Sequence, residues 1–353
     1  KIVVVDDVLA FCGGLDMTAN RWDTRNHLDT DRRRFGHEDL PWHDSTTAVD
    51  GAVAKAIGEL ARERWLRATG EALAVPEPLP PIWPDRLEPS LTDVDVAIAR
   101  TIPPYSDQDE IREVEHLYVD SIVRARRTIY CETQYFASDR IAEALMRRLE
   151  EPDGPEIVVL NPDRAEGLIG SEVMDTNRSR LLHKLAEHDR YGRFRILRPV
   201  TRKGRPIYVH SKILVVDDRL LRVGSSNLNN RSMGYDTECD IAVEADEADP
   251  ARRQTITDIR NDLLAEHFGT TKELIAEAIE RAGGSLIAAL EVLMAARSGL
   301  PEKTLKPIVV AENGVFDGMV AELWVLDPDR PPVSWHRLRR FFRRLMRMLH
   351  LAG

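Results

Sequence analysis

Residues 212–224 read KILVVDDRLLRVG, and residues 1–13 read KIVVVDDVLAFCG. Aligned without gaps, eight of the thirteen positions agree: Lys, Ile, two Val, two Asp, Leu and Gly. Copies this far apart in the chain do not form a solenoid and read as matching pieces of two related halves. Each opens with a short continuous apolar run between polar residues, the pattern of a strand buried on both faces. Each then turns at Asp-Asp and enters a second short strand, Val8–Cys12 in one copy and Leu220–Val223 in the other.

Outward from these copies, TTAVD at 46–50 reads as a further strand. Residues 51–69 read as a helix with Val53, Ile57, Leu60 and Trp65 roughly on one face. Six prolines from Pro76 to Pro89 exclude helix or central strand and mark a linker between the halves. Beyond it, Ser106 with Asp109 signals the cap of a helix running to about Arg126. Strands are expected at 128–136, 156–160, 193–197, 207–217, 220–223 and 239–244. Helices are expected at 139–150 and near 171–188, 251–267 and 271–297, with Gly283-Gly284 as a helix break. Alternating helices and strands define an α/β fold with helices covering a mixed sheet. The domain boundaries that follow are 1–75 for part of a first half, 76–100 for the linker, 101–270 for a second half and 271–353 for a helical extension.

With 353 residues, 43% hydrophobic and 31% charged, the chain can bury a sizeable core. Its net charge of −10 argues against nucleic acid as a partner. Cys12, Cys131 and Cys239 are far apart and lack metal-site or disulfide spacing. Only the end is strongly basic: WHRLRRFFRRLMRMLH at 335–350 reads as an amphipathic helix suited to an anionic membrane surface. Cytoplasmic or peripheral-membrane placement is expected, and a monomer.

The chemistry gathers in 208–244, which holds His210-x-Lys212-x₄-Asp217, then Gly224-Ser225-x-Asn227, then Glu238. Alternate side chains on a strand share a face, so His210 and Lys212 point to one ligand. A neutral imidazole, a fixed cation and the neutral donors of Ser225 and Asn227 suit a phosphate.

This stretch resembles the HKD motif of the phospholipase D superfamily. The N-terminal copy resembles the other HKD motif from its Lys onward. Lys1 and Asp6 match Lys212 and Asp217; Gly13 and Gly14 match Gly224 and Ser225; Asp16 stands where Asn227 stands. GGLD-x₄-RWDT at 13–24, PWHD at 41–44 and IYCETQYF at 129–136 resemble the phospholipase branch in particular.

The resemblance implies a phospholipase D fold: two similar mixed-sheet halves around a pseudo-two-fold cleft. It implies hydrolysis of a glycerophospholipid to phosphatidic acid and a headgroup alcohol through a phosphohistidine, with transfer to an acceptor alcohol as the same chemistry. No metal or cofactor is implied. His210 would be the general acid/base, with Glu238 orienting its ring, and Asp44 would be the matching acid of the first half. Asp6 and Asp217 would be scaffolding carboxylates at the turns. Lys1, Lys212, Asn227, Ser225, Gly13, Gly14 and Asp16 would surround the phosphate, with Asp16 bridging to Lys1 or Arg21. Glu132 and Gln134 alternate on a strand, and either line the pocket or serve a structural role. The other histidine of the pair would lie two residues before Lys1, so the chain reads as beginning inside the first motif and is expected to be inactive alone. His37, His43, His116, His183, His188 and His267 show no ligand spacing and read as ordinary. Three other readings stay open here: a cardiolipin synthase-like phosphatidyltransferase, a nuclease of the superfamily, and a catalytically dead membrane-binding relative.

Overall fold

The structure, a computed structural model, describes residues 1–34, 40–105, 108–166, 168–309 and 327–329, without the side chains of 168–172. The first copy forms β1 (Ile2–Val5) and β2 (Leu9–Gly13), joined through Asp6 and Asp7, both at positive φ. After β3 (Trp42–His43) and β4 (Thr46–Asp50), helix α1 (Gly51–Thr69) covers the sheet β1-β2-β4. The chain then enters β5 (Ala97–Ile102), β6 (Ile111–Arg112) and α2 (Glu113–Arg124). Strand β5 thus starts inside the stretch expected to be linker. The helix expected from Ser106 begins only at Glu113, and Ser106 lies outside the described residues.

The rest supplies β7 (Thr128–Glu132), α3 (Asp139–Glu150), β8 (Glu156–Leu160), α4 (Leu168–His188) and β9 (Phe194–Val200). Next come β10 (Tyr208–Val209), β11 (Ile213–Val216), β12 (Leu220–Gly224), α5 (Asn230–Gly234) and β13 (Glu238–Glu244). Helices α6 (Pro250–Phe268), α7 (Lys272–Arg281) and α8 (Leu286–Ala296) precede β14 (Thr304–Pro307). The expected helix over 271–297 is therefore two. Gly283 and Gly284 both adopt positive φ between them, a conformation that ends a helix.

Among the described residues, nine strands form the large sheet in the order β14-β9-β8-β7-β11-β12-β13-β5-β6. It is mixed: β7, β8 and β9 run parallel, and the remaining pairs are antiparallel. Period-two alternation divides its central strands between two cores. Ile129, Cys131, Ile157, Val159, Leu214 and Val216 pack under α2, α3 and α4. Tyr130, Val158, Leu160, Ile213 and Val215 pack under α6, α7 and α8. Strands buried on both faces read as unbroken apolar runs, which is what the sequence of β8 and β11 displays.

The two copies adopt one geometry. Ile2 pairs with Cys12 as Ile213 pairs with Val223. Gly13 N donates to Lys1 O, and Gly224 N to Lys212 O, each at 3.1 Å. In each copy a third strand, β4 or β13, follows on the far side. At both glycines a Cβ would press into that neighbour, 2.5 Å from Thr46 Cα and 2.6 Å from Asp240 Cα. Ala10, Cys12 and Ile57 pack with Cys239 and Ile241, so the smaller sheet is seated on the larger one. Among the described residues no helix is long and apolar enough to cross a membrane.

Candidate active site

The expected strand 207–217 is interrupted at His210, Ser211 and Lys212. Before the break, β10 pairs in parallel with β3; after it, β11 joins β7 and β12 in the large sheet. The break therefore lets the chain pass between sheets, and it brings the segment 41–45 against His210. His210 N donates to His43 O at 2.7 Å. His210 Nδ1 and Asp44 Oδ2 are 2.7 Å apart, with 7% and 3% of those side chains exposed. A carboxylate there fixes the tautomer: Nδ1 carries the proton and Nε2 is the free base. Burial lowers the His210 pKa further than Asp44 restores it, with the lysine charges adding to the fall, so the resting ring is neutral. Asp44 is held below the ordinary carboxylate range: burial opposes ionisation, but His210 and Lys212 outweigh it.

The expectation that Glu238 orients His210 is not met. Glu238 accepts instead from the hydroxyls of Ser225, at 2.5 Å, and Ser232, at 2.7 Å. The register explains the exchange. Gly13 pairs with Thr46 and Gly224 with Asp240, so two residues earlier Asp44 and Glu238 are mates. Asp44 reaches across to the histidine of the second half, while Glu238 stays bonded within its own.

Lys212 is 2% exposed; its Nζ donates to His210 O and, at 3.3 Å, to Gln134 Oε1. Burial brings its pKa down to about 7, although the Asp44 charge opposes the fall. Lys1, half exposed, donates to Gly14 O at 3.1 Å and pairs with Asp16 at 2.8 Å. Asp16 also approaches Arg21 Nε, at 3.8 Å, and His210 Nε2, at 3.9 Å. Its predicted bridge to Lys1 is thus present. Its pKa is lowered because the lysine bond outweighs burial. Asn227 Oδ1 accepts from Gln134 N at 3.3 Å, which leaves its amide NH₂ as the group free to donate.

Several expected phosphate contacts are already engaged. The amides of Gly13 and Gly14 bond the carbonyls of Lys1 and Ser45. Gly14 supplies room instead: a Cβ there would lie 2.7 Å from Asp44 Oδ1 and 2.9 Å from Lys212 Cδ. Ser225 gives its hydroxyl to Glu238. Glu132 does not line the cleft. It is fully buried and bonded to His43 Nε2 (2.7 Å), Ser211 Oγ (2.6 Å) and Tyr130 OH (2.5 Å). Gln134 does reach the site, through Lys212 and Tyr208 OH at 3.0 Å. Asp217 holds a turn, accepting from the amides of Arg126, Arg127 and Thr128 at 2.7–3.0 Å. Asp6 is exposed at the matching turn, and the neighbouring Asp7 makes the structural ion pair, with Arg62 of α1 at 2.8 Å.

Trp42, Tyr208 and Glu166 escaped the sequence reading, and Arg21 entered it only as a partner for Asp16. The Trp42 ring stacks on Tyr208 at 4.4 Å and lies 5.1 Å from His210. The Arg21 guanidinium sits 4.0 Å above Trp42 and bonds Glu166 at 2.9 and 3.0 Å. These four line a cavity of about 330 Å³, one wall of which is the Trp42 ring beside His210. His43 and His267, read as ordinary, belong with His27 to a buried network with Glu132 and Glu266. The ligand atoms of His43, Glu132 and His267, and those of His27, His43 and Glu266, lie within 4.8 Å of one another, close enough for a cation. Both ring nitrogens of His27 and of His43 already meet carboxylates, so proton bridges satisfy the network as it stands. The only sequence signal for it was the dipeptide His43-Asp44 and the spacing Asp23-x₃-His27. His37 and the basic segment 335–350 lie outside the described residues.

A duplicated strand unit with a buried His-x-Lys beside an acid from the other copy defines this α/β protein's candidate site. The family described as cardiolipin synthase, PLD-like domain, matches residues 118–259. The chain is similar, over much of its length, to members of the phospholipase D superfamily. It is 25% identical over 334 residues to phospholipase D1 of Schizosaccharomyces pombe, covering 69% of this chain and 24% of that protein. It is 27% identical over 280 residues to cardiolipin synthase A of Pseudomonas putida, covering 78% and 48%. With phospholipase D alpha 1 of Carica papaya it shares 26% over 400 residues, covering 78% and 49%. The chain thus spans between a quarter and half of these relatives. Among solved structures, phosphatidylserine synthase of Haemophilus influenzae aligns with a TM-score of 0.39 at 16% identity, covering 61% of this chain and 46% of that one.

Proposed function

We propose that the chain cleaves or exchanges the headgroup phosphodiester of a glycerophospholipid, with His210 as acid–base group. The observation that carries this reading is the 2.7 Å bond from Asp44, across the two halves, to a buried His210 flanked by Lys212. The lipid is inferred from relatives named as phospholipases D and cardiolipin synthases.

In the reaction we propose, an imidazole two residues before Lys1 attacks phosphorus, and the bond from phosphorus to the headgroup oxygen breaks. The leaving alkoxide takes a proton from His210 Nε2. The phosphate anion, with Asp44, favours the imidazolium that this step needs. His210 then removes a proton from water or an acceptor alcohol, whose oxygen displaces the first imidazole. Water gives phosphatidic acid, and an alcohol gives a new phosphatidyl ester. Glu238, the mate of Asp44, would hold the attacking imidazole. Lys1, Lys212 and Asn227 would neutralise or bond the phosphoryl oxygens.

A second reading, phosphatidyl transfer between lipids, is favoured by the family match itself, which is described as cardiolipin synthase. Product analysis separates the two. Phosphatidylglycerol and phosphatidylcholine vesicles are incubated with the chain carrying a His-x dipeptide ahead of Lys1, with and without ethanol. Phosphatidic acid, partly replaced by phosphatidylethanol, supports the first. Diphosphatidylglycerol from phosphatidylglycerol alone supports the second. Cleavage of DNA with no lipid product would sink both.

A further inference from the structure

Most of RWDT, PWHD and IYCET plays no part in the chemistry above, yet these motifs meet beneath it. Asp23 accepts from Arg34 and from Trp42 N, both at 2.8 Å, and bonds His27 Nδ1 at 3.0 Å. His27 Nε2 and His43 Nδ1 share Glu266 Oε1, each at 3.0 Å. His43 Nε2 meets Glu132 Oε2 at 2.7 Å, and that oxygen also accepts from Ser211 Oγ. His267 Nε2 closes on the other Glu132 oxygen at 3.4 Å. His43 is 3% exposed and Glu132 fully buried. An imidazole with a carboxylate on each nitrogen satisfies both only when both nitrogens carry protons. His43 is therefore a buried imidazolium between two anions.

Its place matters to the site in three ways. It lies between Trp42 and Asp44 in the chain. Its carbonyl accepts from His210 N at 2.7 Å. Ser211, next to His210, hangs from the same Glu132 that His43 bonds. One ion cluster thus grips both the segment that carries Asp44 and the segment that carries His210. Truncating His43 would remove the cation between Glu132 and Glu266 and leave Glu266 to His27 and Arg25 alone.

We propose that His43 is a positioning residue: clamped between Glu132 and Glu266, it sets the approach of the Asp44 carboxylate to His210 Nδ1. This rests on the reading of His210 as the acid–base group. Its test therefore includes a signal that does not depend on turnover. His43→Gln combined with Glu132→Gln removes one charge of each sign and keeps the buried balance. In the full chain, the His210 Nδ1 proton is identified in ¹H–¹⁵N spectra by its loss in Asp44→Asn. In the folded double variant that resonance is expected to vanish or move upfield. If the double variant does not fold, Glu266→Gln, a milder change at a partly exposed partner, is expected to shift it the same way. A folded variant with the His210 resonance unmoved overturns the proposal, whatever its activity.

The second readout is a double-mutant cycle on phospholipid turnover, in the chain with a His-x dipeptide placed ahead of Lys1. Asp44→Asn is expected to cost at most a few-fold more in the His43→Gln/Glu132→Gln background, against roughly 10²-fold or more in the parent. Full additivity marks a merely structural role and also overturns the proposal. Absence of all turnover in the parent counts against the proposed function, and the proton resonance then decides the positioning role by itself.

Discussion

The Asp44 carboxylate fixes His210 with Nε2 available to a ligand, so its loss should be felt in turnover before stability. Asp44→Asn keeps the shape but offers a neutral group that can present the wrong polarity to Nδ1. Turnover is expected to fall roughly 10²–10⁴-fold with little change in KM. Glu238→Gln should leave the His210 proton resonance where it is, since Glu238 bonds Ser225 and Ser232. A shifted resonance there would restore the assignment made from sequence. Lys212 gives a pH-dependent prediction. Its pKa is brought down to about 7, chiefly by burial. Below that value it is a cation; above it the charge is lost unless an anion holds it. Affinity for dimethyl phosphate, which stays monoanionic, should weaken from about pH 6 to about pH 9, and Lys212→Met should flatten the dependence. Titration calorimetry across that range decides it. Among single residues, those of the motif were legible because His-x-Lys, Gly-Ser-x-Asn and Asp-Asp are local patterns. Which acid serves His210 was not, because Asp44 crosses between halves through a register that spacing does not encode.

The turn after β11 shows how one carboxylate joins elements. Asp217, at φ 56°, accepts three amides at the start of β7. Asp217→Ala strands those donors, that of Thr128 in a buried place, and makes the left-handed backbone costlier. A loss of roughly 2–4 kcal/mol is expected, read as a lower urea midpoint at unchanged slope. The His43 cluster also ties elements together, through charge. His43 is raised to about 10: burial opposes its charge, but Glu132 and Glu266 outweigh it. Both carboxylates are held well below their usual range by the histidines despite burial. The stability that the imidazolium contributes is complete below the unfolded pKa near 6.5 and is lost as pH rises toward 10. The carboxylate contributions are complete above about 4.5 and are lost on acidification. Tm should therefore peak between about pH 4.5 and about pH 6.5 and fall on either side. The fall toward pH 9 should be shallower in His43→Gln/Glu132→Gln. A parent Tm that rises from about pH 7 to about pH 9 would contradict this.

In the whole molecule, two copies of one strand unit are joined to unequal surroundings: among the described residues, three strands on one side, nine on the other. Strands β8 and β11 and helix α3 were legible because apolar runs and a capped amphipathic helix declare themselves locally. The break at His210–Lys212 was not, because the run from Tyr208 to Val216 looks like one strand and only pairing with β3 divides it. Nor was the network of His27, His43 and His267, whose members approach only after folding. The proposed reaction turns on His210 acting as the acid–base group on a phospholipid phosphodiester. It is best tested on the chain with a His-x dipeptide placed ahead of Lys1, as parent and as His210→Gln. Both are given phospholipid vesicles and a p-nitrophenyl phosphodiester. A general acid matters most for a poor leaving group, so lipid turnover should fall by at least about 10²-fold while p-nitrophenol release falls much less. Equal loss on both substrates would make His210 the nucleophile, and undiminished lipid turnover would remove it from the reaction altogether.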